Sequence, residues 1–199
     1  MEYDSAQISR IFGQCIMPRP IAWVTTVNRE GLENVAPFSL YTAVSMNPPL
    51  IGVTILARQG GKKADTLANI LNTHEFVVSV VTEENAEKMN MTAINFPPDI
   101  SEVPYAKLKT IPASVVRPPL LSDSPINLEC TLYEYRTYGG PSTTYFVVGE
   151  VVRVHINDSV LTNSKINYQA IKTIGRLSGN SYCRTVDTFD MARPYYKEK

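Results

Sequence analysis

The residues of this 199-residue chain best suited to chemistry lie in RQGGKKADT, Arg58 to Thr66. Arg58, Lys62 and Lys63 stand beside Gly60 and Gly61, directly ahead of a helix start. Glycines let successive backbone N–H groups converge, a helix N-terminus carries partial positive charge, and the lysines add full charge, so the loop has the parts of a site for a phosphate monoester. The order is not that of a P-loop, because Lys63, Ala64 and Asp65 follow Lys62 where Gly-Lys-Ser/Thr is required. A solvated basic turn in which Asp65 merely caps the helix would use the same residues.

A second candidate is NVAPFSLYTAVS, Asn34 to Ser45. Ser39, Thr42 and Ser45 sit there among small and apolar residues, which suits a planar heterocycle with polar edges: flat walls and a few fixed donors and acceptors. An ordinary strand bend with satisfied hydroxyls has the same composition. Trp23, the single tryptophan, reads as a core residue before a stacking partner, and Cys183 as packing before a redox thiol.

Other chemistries are set aside on spacing. Zinc needs several His or Cys donors close in sequence, whereas His74 and His155 are far apart and no Cys-x-x-Cys exists, so no metal site is expected. Gly175-Arg176-Leu177-Ser178-Gly179 places serine one position too late for a nucleophile elbow. Neither Gly-x-Gly-x-x-Gly nor the alternating strand and helix order of a dinucleotide fold is present.

The elements that must position these residues follow from periodicity and turn signals. Asp4 to Phe12 suits a short helix ending at Gly13. Ala22–Val27 and Leu32–Phe38 form a hairpin across Asn28–Gly31. Leu40–Ser45 continues extended, and Pro48-Pro49 opens a strand over Leu50–Leu56. Asp65 caps a helix to Asn72, Phe76–Val81 is a central strand, and Thr82 caps a helix to Met91. Asn95–Pro119 holds six of the 14 prolines and reads as an irregular covering loop. Asn127–Tyr138 and Thr143–Ile156 alternate apolar with polar around a Gly139-Gly140-Pro141-Ser142 turn, a long antiparallel hairpin. From Leu161 the periodicity fades, and Ile174–Arg184 is expected to fold back over another surface. About six strands with few helices indicate a mainly β, antiparallel barrel with short helices at its rim.

Length and the lack of a composition break favour one domain over residues 1–199. Nineteen Lys+Arg balance nineteen Asp+Glu, so no net field draws the chain to nucleic acid or an anionic membrane. Three widely spaced cysteines argue against a disulfide framework and for a reducing, cytoplasmic setting. The early charges Glu2, Asp4 and Arg10 do not suit a signal peptide, and no apolar run approaches the roughly 20 residues of a membrane span.

In order, PRPIAWVTT, NVAPFS, SMNPPLIGV, KKADTLANI, EFVVSVV, SPINLEC and GEVVRVHI resemble the flavin reductase-like family of FMN-binding split-barrel proteins, which includes the flavoredoxins. The likeness runs from about Gln14 to Arg184. It implies a six-stranded Greek-key split β-barrel, a homodimer, and FMN held without a covalent bond. Carried over by motif, Arg19, Thr25, Thr26, Asn34, Ala36, Pro37, Phe38, Ser39 and Ser45 border the ring system or its ribityl chain. Arg58, Lys62 or Lys63, Asp65 and Thr66 match the phosphate end, with Ala64 inserted in the familiar Lys-Asp-Thr pattern. Arg176 and Tyr182 match a tail segment that approaches the flavin. The activity implied is an NAD(P)H-dependent flavin reductase in which NADH or NADPH gives hydride to bound flavin and no side chain serves as acid or base. Two alternatives are a flavoredoxin-like electron carrier with a redox partner protein and a non-catalytic flavin-storing or sensing dimer.

Overall fold

A computed structural model describes residues 4–140 and 143–196 of the chain. Helix α1, Ser5–Cys15, begins at a capping box: the Asp4 carboxylate accepts from the Gln7 N–H at 2.7 Å while the Gln7 side chain accepts from the Asp4 N–H at 2.9 Å. It runs two residues past Gly13, the expected stop. Strands β1, Ala22–Val27, and β2, Glu33–Phe38, pair as the expected hairpin, and β3, Tyr41–Met46, leads to β4, Pro49–Leu56. Helix α2, Asp65–Thr73, precedes β5, Glu75–Val80.

Helix α3 is shorter than expected, Ala86–Met91. The Thr82 N–H donates to Asn85 Oδ1 at 2.8 Å and the Asn85 N–H to Thr82 Oγ1 at 3.4 Å, which ties Thr82–Asn85 into a turn before the helix can begin. The proline-rich segment is also more regular than expected. It holds helix α4, Glu102–Tyr105, and strand β6, Thr110–Ile111, which pairs with β7, Leu120–Leu121. Strands β8, Ile126–Tyr138, and β9, Thr144–Ile156, form the long hairpin. In its expected turn, Pro141 and Ser142 lie outside the described residues. Beyond it come the pair β10, Leu161–Thr162, and β11, Lys165–Ile166, helix α5, Tyr168–Ile171, and the pair β12, Ile174–Arg176, and β13, Tyr182–Arg184.

The principal sheet is antiparallel, in the order β2-β1-β5-β8-β9-β4-β3, seven strands where about six were expected. Its two ends, β2 and β3, are consecutive in the chain and are joined only through Ser39 and Leu40, so the sheet curls into a split barrel. Alternate residues of five strands fill the interior: Ala22 and Val24, Ile51, Val53 and Ile55, Phe76 and Val78, Cys130, and Val147, with Leu67 and Ile70 of α2 closing one end. Gly149 is required there, because a Cβ at that position would stand 2.3 Å from Phe76 Cζ.

The other face of β1 and β2 carries Trp23 and Val35, buried against Met89, Ala106, Leu108, Leu121 and Ile174. Trp23 is therefore core, and its indole N–H donates to Thr92 Oγ1 at 2.9 Å. Among the described residues no helix is long and apolar enough to cross a membrane.

The covering segment is pinned by Glu129 of β8. This fully buried carboxylate accepts from the N–H groups of Ser114, Val115 and Val116 at 2.8, 2.6 and 2.9 Å and meets His155 Nε2 of β9 at 2.5 Å. Burial alone would raise its pKa, but the His155 contact and the three N–H donors outweigh it and hold the carboxyl down at about 2.

Candidate functional site

Strand β2 ends between two adjoining cavities that share Pro37, Ser39 and Ala93. The first, about 510 Å³, is walled by Asn34, Ala36 and Phe38 of β2, Thr54 and Leu56 of β4, Arg58 and Thr66, and, from beyond α3, Thr92, Ile94, Asn95 and Glu102. The second, about 550 Å³, is walled by Arg19, Met89 and Asn90 and by Arg176, Ser178, Asn180 and Tyr182 of the β12–β13 hairpin.

The basic loop supplies one charged wall. Gly60 and Gly61 hold φ of 75° and 73°, a left-handed turn that suits glycine, and the Arg58 N–H closes it on the Lys62 carbonyl at 2.8 Å. The Arg58 side chain then faces the first cavity, with Nη2 2.7 Å from Asp65 Oδ2. Asp65 is not the N-cap of α2 as expected; Ala64 takes that position, and Asp65 stands in the first turn as the partner of Arg58. Lys62 and Lys63 are exposed and line neither cavity.

Beside Arg58 lies a buried polar network. Asn34 Nδ2 donates to both oxygens of Glu102, at 2.9 and 3.0 Å, and the Val35 N–H donates to Glu102 Oε2 at 2.9 Å. Asn34 Oδ1 accepts from Thr66 Oγ1 at 2.7 Å and from Thr26 Oγ1 at 3.3 Å, and Asn69 Nδ2 donates to Thr26 Oγ1 at 3.1 Å. Glu102 is 2 % exposed. Burial pushes its carboxyl up and the nearby Asp65 adds to this, against the lowering effect of the Val35 and Asn34 hydrogen bonds.

Two arginines shape the second cavity. The Arg19 guanidinium donates to the carbonyls of Gly13, Ile16 and Leu177, the last two at 2.7 Å, and so ties α1 and the tail to the start of β1. Backbone bonds between Arg19 and Arg176, at 2.9 and 2.8 Å, set the hairpin against that point. The Arg176 guanidinium donates to the Tyr182 hydroxyl and the Gly179 carbonyl and lies 4.6 Å from the centre of the Tyr182 ring. Ile174–Arg184 thus folds back as expected.

Of the residues singled out from sequence, Asn34, Ala36, Pro37, Phe38, Ser39, Arg58 and Thr66 come together at the first cavity, and Arg19, Arg176 and Tyr182 at the second. Thr25 and Thr26 are fully buried within β1 and reach neither. Ser45 lies on edge strand β3, where its hydroxyl accepts from the Asn47 N–H at 3.2 Å. Glu102 and the Asn90–Asn95 walls were not anticipated. Their only local signal is a helix start at Ser101-Glu102 and a helix end near Met91, and neither points to a cavity. Among the described residues no group of three or more metal-ligating side chains occurs.

Comparison with known proteins gives this geometry a context. The family model described as "Flavin reductase like domain" matches residues 13–172. The protein BH2278 of Halalkalibacterium halodurans is 38% identical over 188 residues, covering 93% of this chain and 90% of its own length. Nitrilotriacetate monooxygenase component B from Bacillus cereus superposes with a TM-score of 0.91 at 33% identity, covering 96% of this chain and 95% of that one. The 2-nitrobenzoate 2-nitroreductase NbaA of Pseudomonas fluorescens does so with 0.88 at 30%, covering 99% and 95%. The fold, the cavities beside β2 and these matches agree, and the chain belongs to the flavin reductase-like family of split-barrel flavin-binding proteins.

Proposed function

We propose that this protein binds FMN and is an oxidoreductase that reduces the flavin with NADH or NADPH, acting as a one-domain, cytoplasmic homodimer. The observation that carries the reading is the pairing of two adjoining cavities around Pro37, Ser39 and Ala93, one ending at Arg58 and the other at Arg176 and Tyr182. The donor set fits FMN. Pro37, Phe38, Leu40, Ala93 and Ile94 offer flat apolar wall for a ring system, the hydroxyls and amides of the first cavity suit a polyol chain, and Arg58 with the N–H groups opening α2 meets a phosphate. Exposed Lys62 and Lys63 are close enough in sequence for either to swing onto it.

When bound, the flavin supplies a hydride acceptor and the nicotinamide supplies the hydride. The chain's own residues bind, orient and shield: Arg58 anchors charge, the β2 wall sets the ring plane, and Arg19 holds α1 and the tail hairpin in place over the second cavity. The first cavity is lined by Arg58, which pairs with the carboxylate of Asp65, and by a second carboxylate, Glu102, which Asn34 and Val35 hold.

Stopped-flow mixing of the FMN-loaded protein with NADH and with NADPH tests the reading. Fast bleaching of the flavin absorbance supports a reductase. No bleaching by either donor, with FMN tightly bound, turns the assignment to an electron carrier or a flavin store. Protein that stays colourless in excess FMN ends it.

A further inference from the structure

Thr66, 2 % exposed, is among the residues that line the first cavity, and its hydroxyl proton is already used. Its contact to Asn34 Oδ1 is 2.7 Å, and an amide oxygen can only accept, so Thr66 must donate there. The orientation of the Asn34 amide is set in turn by Glu102. With the carboxyl ionised, the opposite orientation would place Oδ1 at 2.9 and 3.0 Å from two carboxylate oxygens, with no proton between them. The Val35 N–H on Glu102 Oε2 holds the carboxylate toward β2, and the side chain is only 2 % exposed.

The geometry points to Glu102 as a positioning residue: acting through Asn34, it makes the Thr66 hydroxyl an acceptor toward the cavity, so that wall takes a hydroxyl or N–H of the ligand and rejects a phosphate oxygen. This rests on the flavin reading and refines it. The phosphate of FMN is left to Arg58 and the loop around it, away from the Thr66 side chain, and a ribityl hydroxyl faces Thr66. Glu102 therefore limits how strongly the site favours a phosphorylated over an unphosphorylated flavin, both by its own charge and by the polarity that it imposes.

Glu102→Gln tests this, because the amide has nearly the shape of the carboxylate but can donate. In that variant the new side-chain amide would accept from Val35 and donate to Asn34, the Asn34 amide would turn over, and Thr66 would accept from Asn34 and free its proton for the ligand. Titrations of both proteins with FMN and with riboflavin, which differ only by the phosphate, read the outcome as a ratio of affinities. The variant is expected to raise the preference for FMN about tenfold, the scale of one hydrogen bond to a charged group. A ratio that stays put while both affinities fall together means a merely structural role and overturns the proposal. Adding Thr66→Val should remove part of the rise, and a rise left whole assigns it to charge alone and overturns the relay.

Should Glu102→Gln fail to fold, as read by Trp23 fluorescence, Thr66→Val in the wild-type background decides. Equal weakening of FMN and riboflavin that Thr66→Ser restores supports the assignment, equal weakening that Thr66→Ser leaves in place is structural and overturns it, and selective loss of FMN shows Thr66 donating to the phosphate and also overturns it. Wild-type protein that takes up neither flavin retires the functional reading itself, a result distinct from an unmoved ratio.

Discussion

Arg58 and Asp65 are joined by a 2.7 Å ion pair across the basic loop, and this pair orients the guanidinium over the first cavity. A guanidinium is a planar fork that can hold a carboxylate and still offer N–H groups to a phosphate. Arg58→Ala is expected to weaken FMN binding by about tenfold or more, since the loss of roughly 1.4 kcal/mol already does that. Riboflavin, without the phosphate, should lose much less. Replacing Lys62 and Lys63 together by Ala is expected to weaken FMN by a further factor of about ten, and a flavin titration of each variant checks both values.

Acid stability should depend on Glu129. Its folded carboxyl sits at about 2, below the unfolded value of about 4.3, so its contribution to stability is fully present above the unfolded value and is lost as pH falls through the folded one. Denaturant unfolding of wild type and Glu129→Gln at stepped pH measures this. The gap between them should be widest near neutrality and should shrink between about pH 4 and pH 2. A gap that does not change with pH would show that the three N–H groups and His155 contribute through shape alone.

Gly149→Ala is expected to lower the melting temperature with flavin affinity per folded molecule unchanged. The added Cβ meets the ring of Phe76, which is fully buried and cannot step aside. Overpacking of this kind costs about 1–3 kcal/mol. Differential scanning calorimetry gives the shift, and a companion Phe76→Leu change in the same chain should recover part of it.

The turn end of the long hairpin exposes Tyr133, Tyr135 and Tyr138 of β8, its open end exposes Val152 and Val154 of β9, and edge strand β3 exposes Val44 and Met46. Apolar surface on this scale suits contact with a second copy. Sedimentation velocity should show a dimer for wild type and a shift toward monomer for Tyr135→Glu. A wild-type protein that sediments as a monomer at every concentration would remove the dimer from the proposal.

Local pattern alone determined a good deal here. Alternation of apolar with polar residues over much of Asn127–Tyr138 and Thr143–Ile156 suits paired strands with one face buried, Asn28–Gly31 gives a hairpin turn, and the Gly-Gly-Lys-Lys run reads as a basic turn before a helix. The collinear motifs carried the family for the same reason: each is a short run whose neighbours in sequence are its neighbours in space. What required the tertiary structure was any partnership across long separations. Asn34 meets Glu102 and Thr66 only because α4 and α2 pack against β2, and nothing local to Ser101-Glu102 distinguishes a buried carboxylate on a cavity from a solvated helix start. Thr25, Thr26 and Ser45 went the other way: the resemblance put them beside the flavin, but strand pairing and sheet curvature turned them into the barrel wall or onto its edge. Hydrogen-bond propensity belongs to the residue, whereas the direction in which it is offered belongs to the fold.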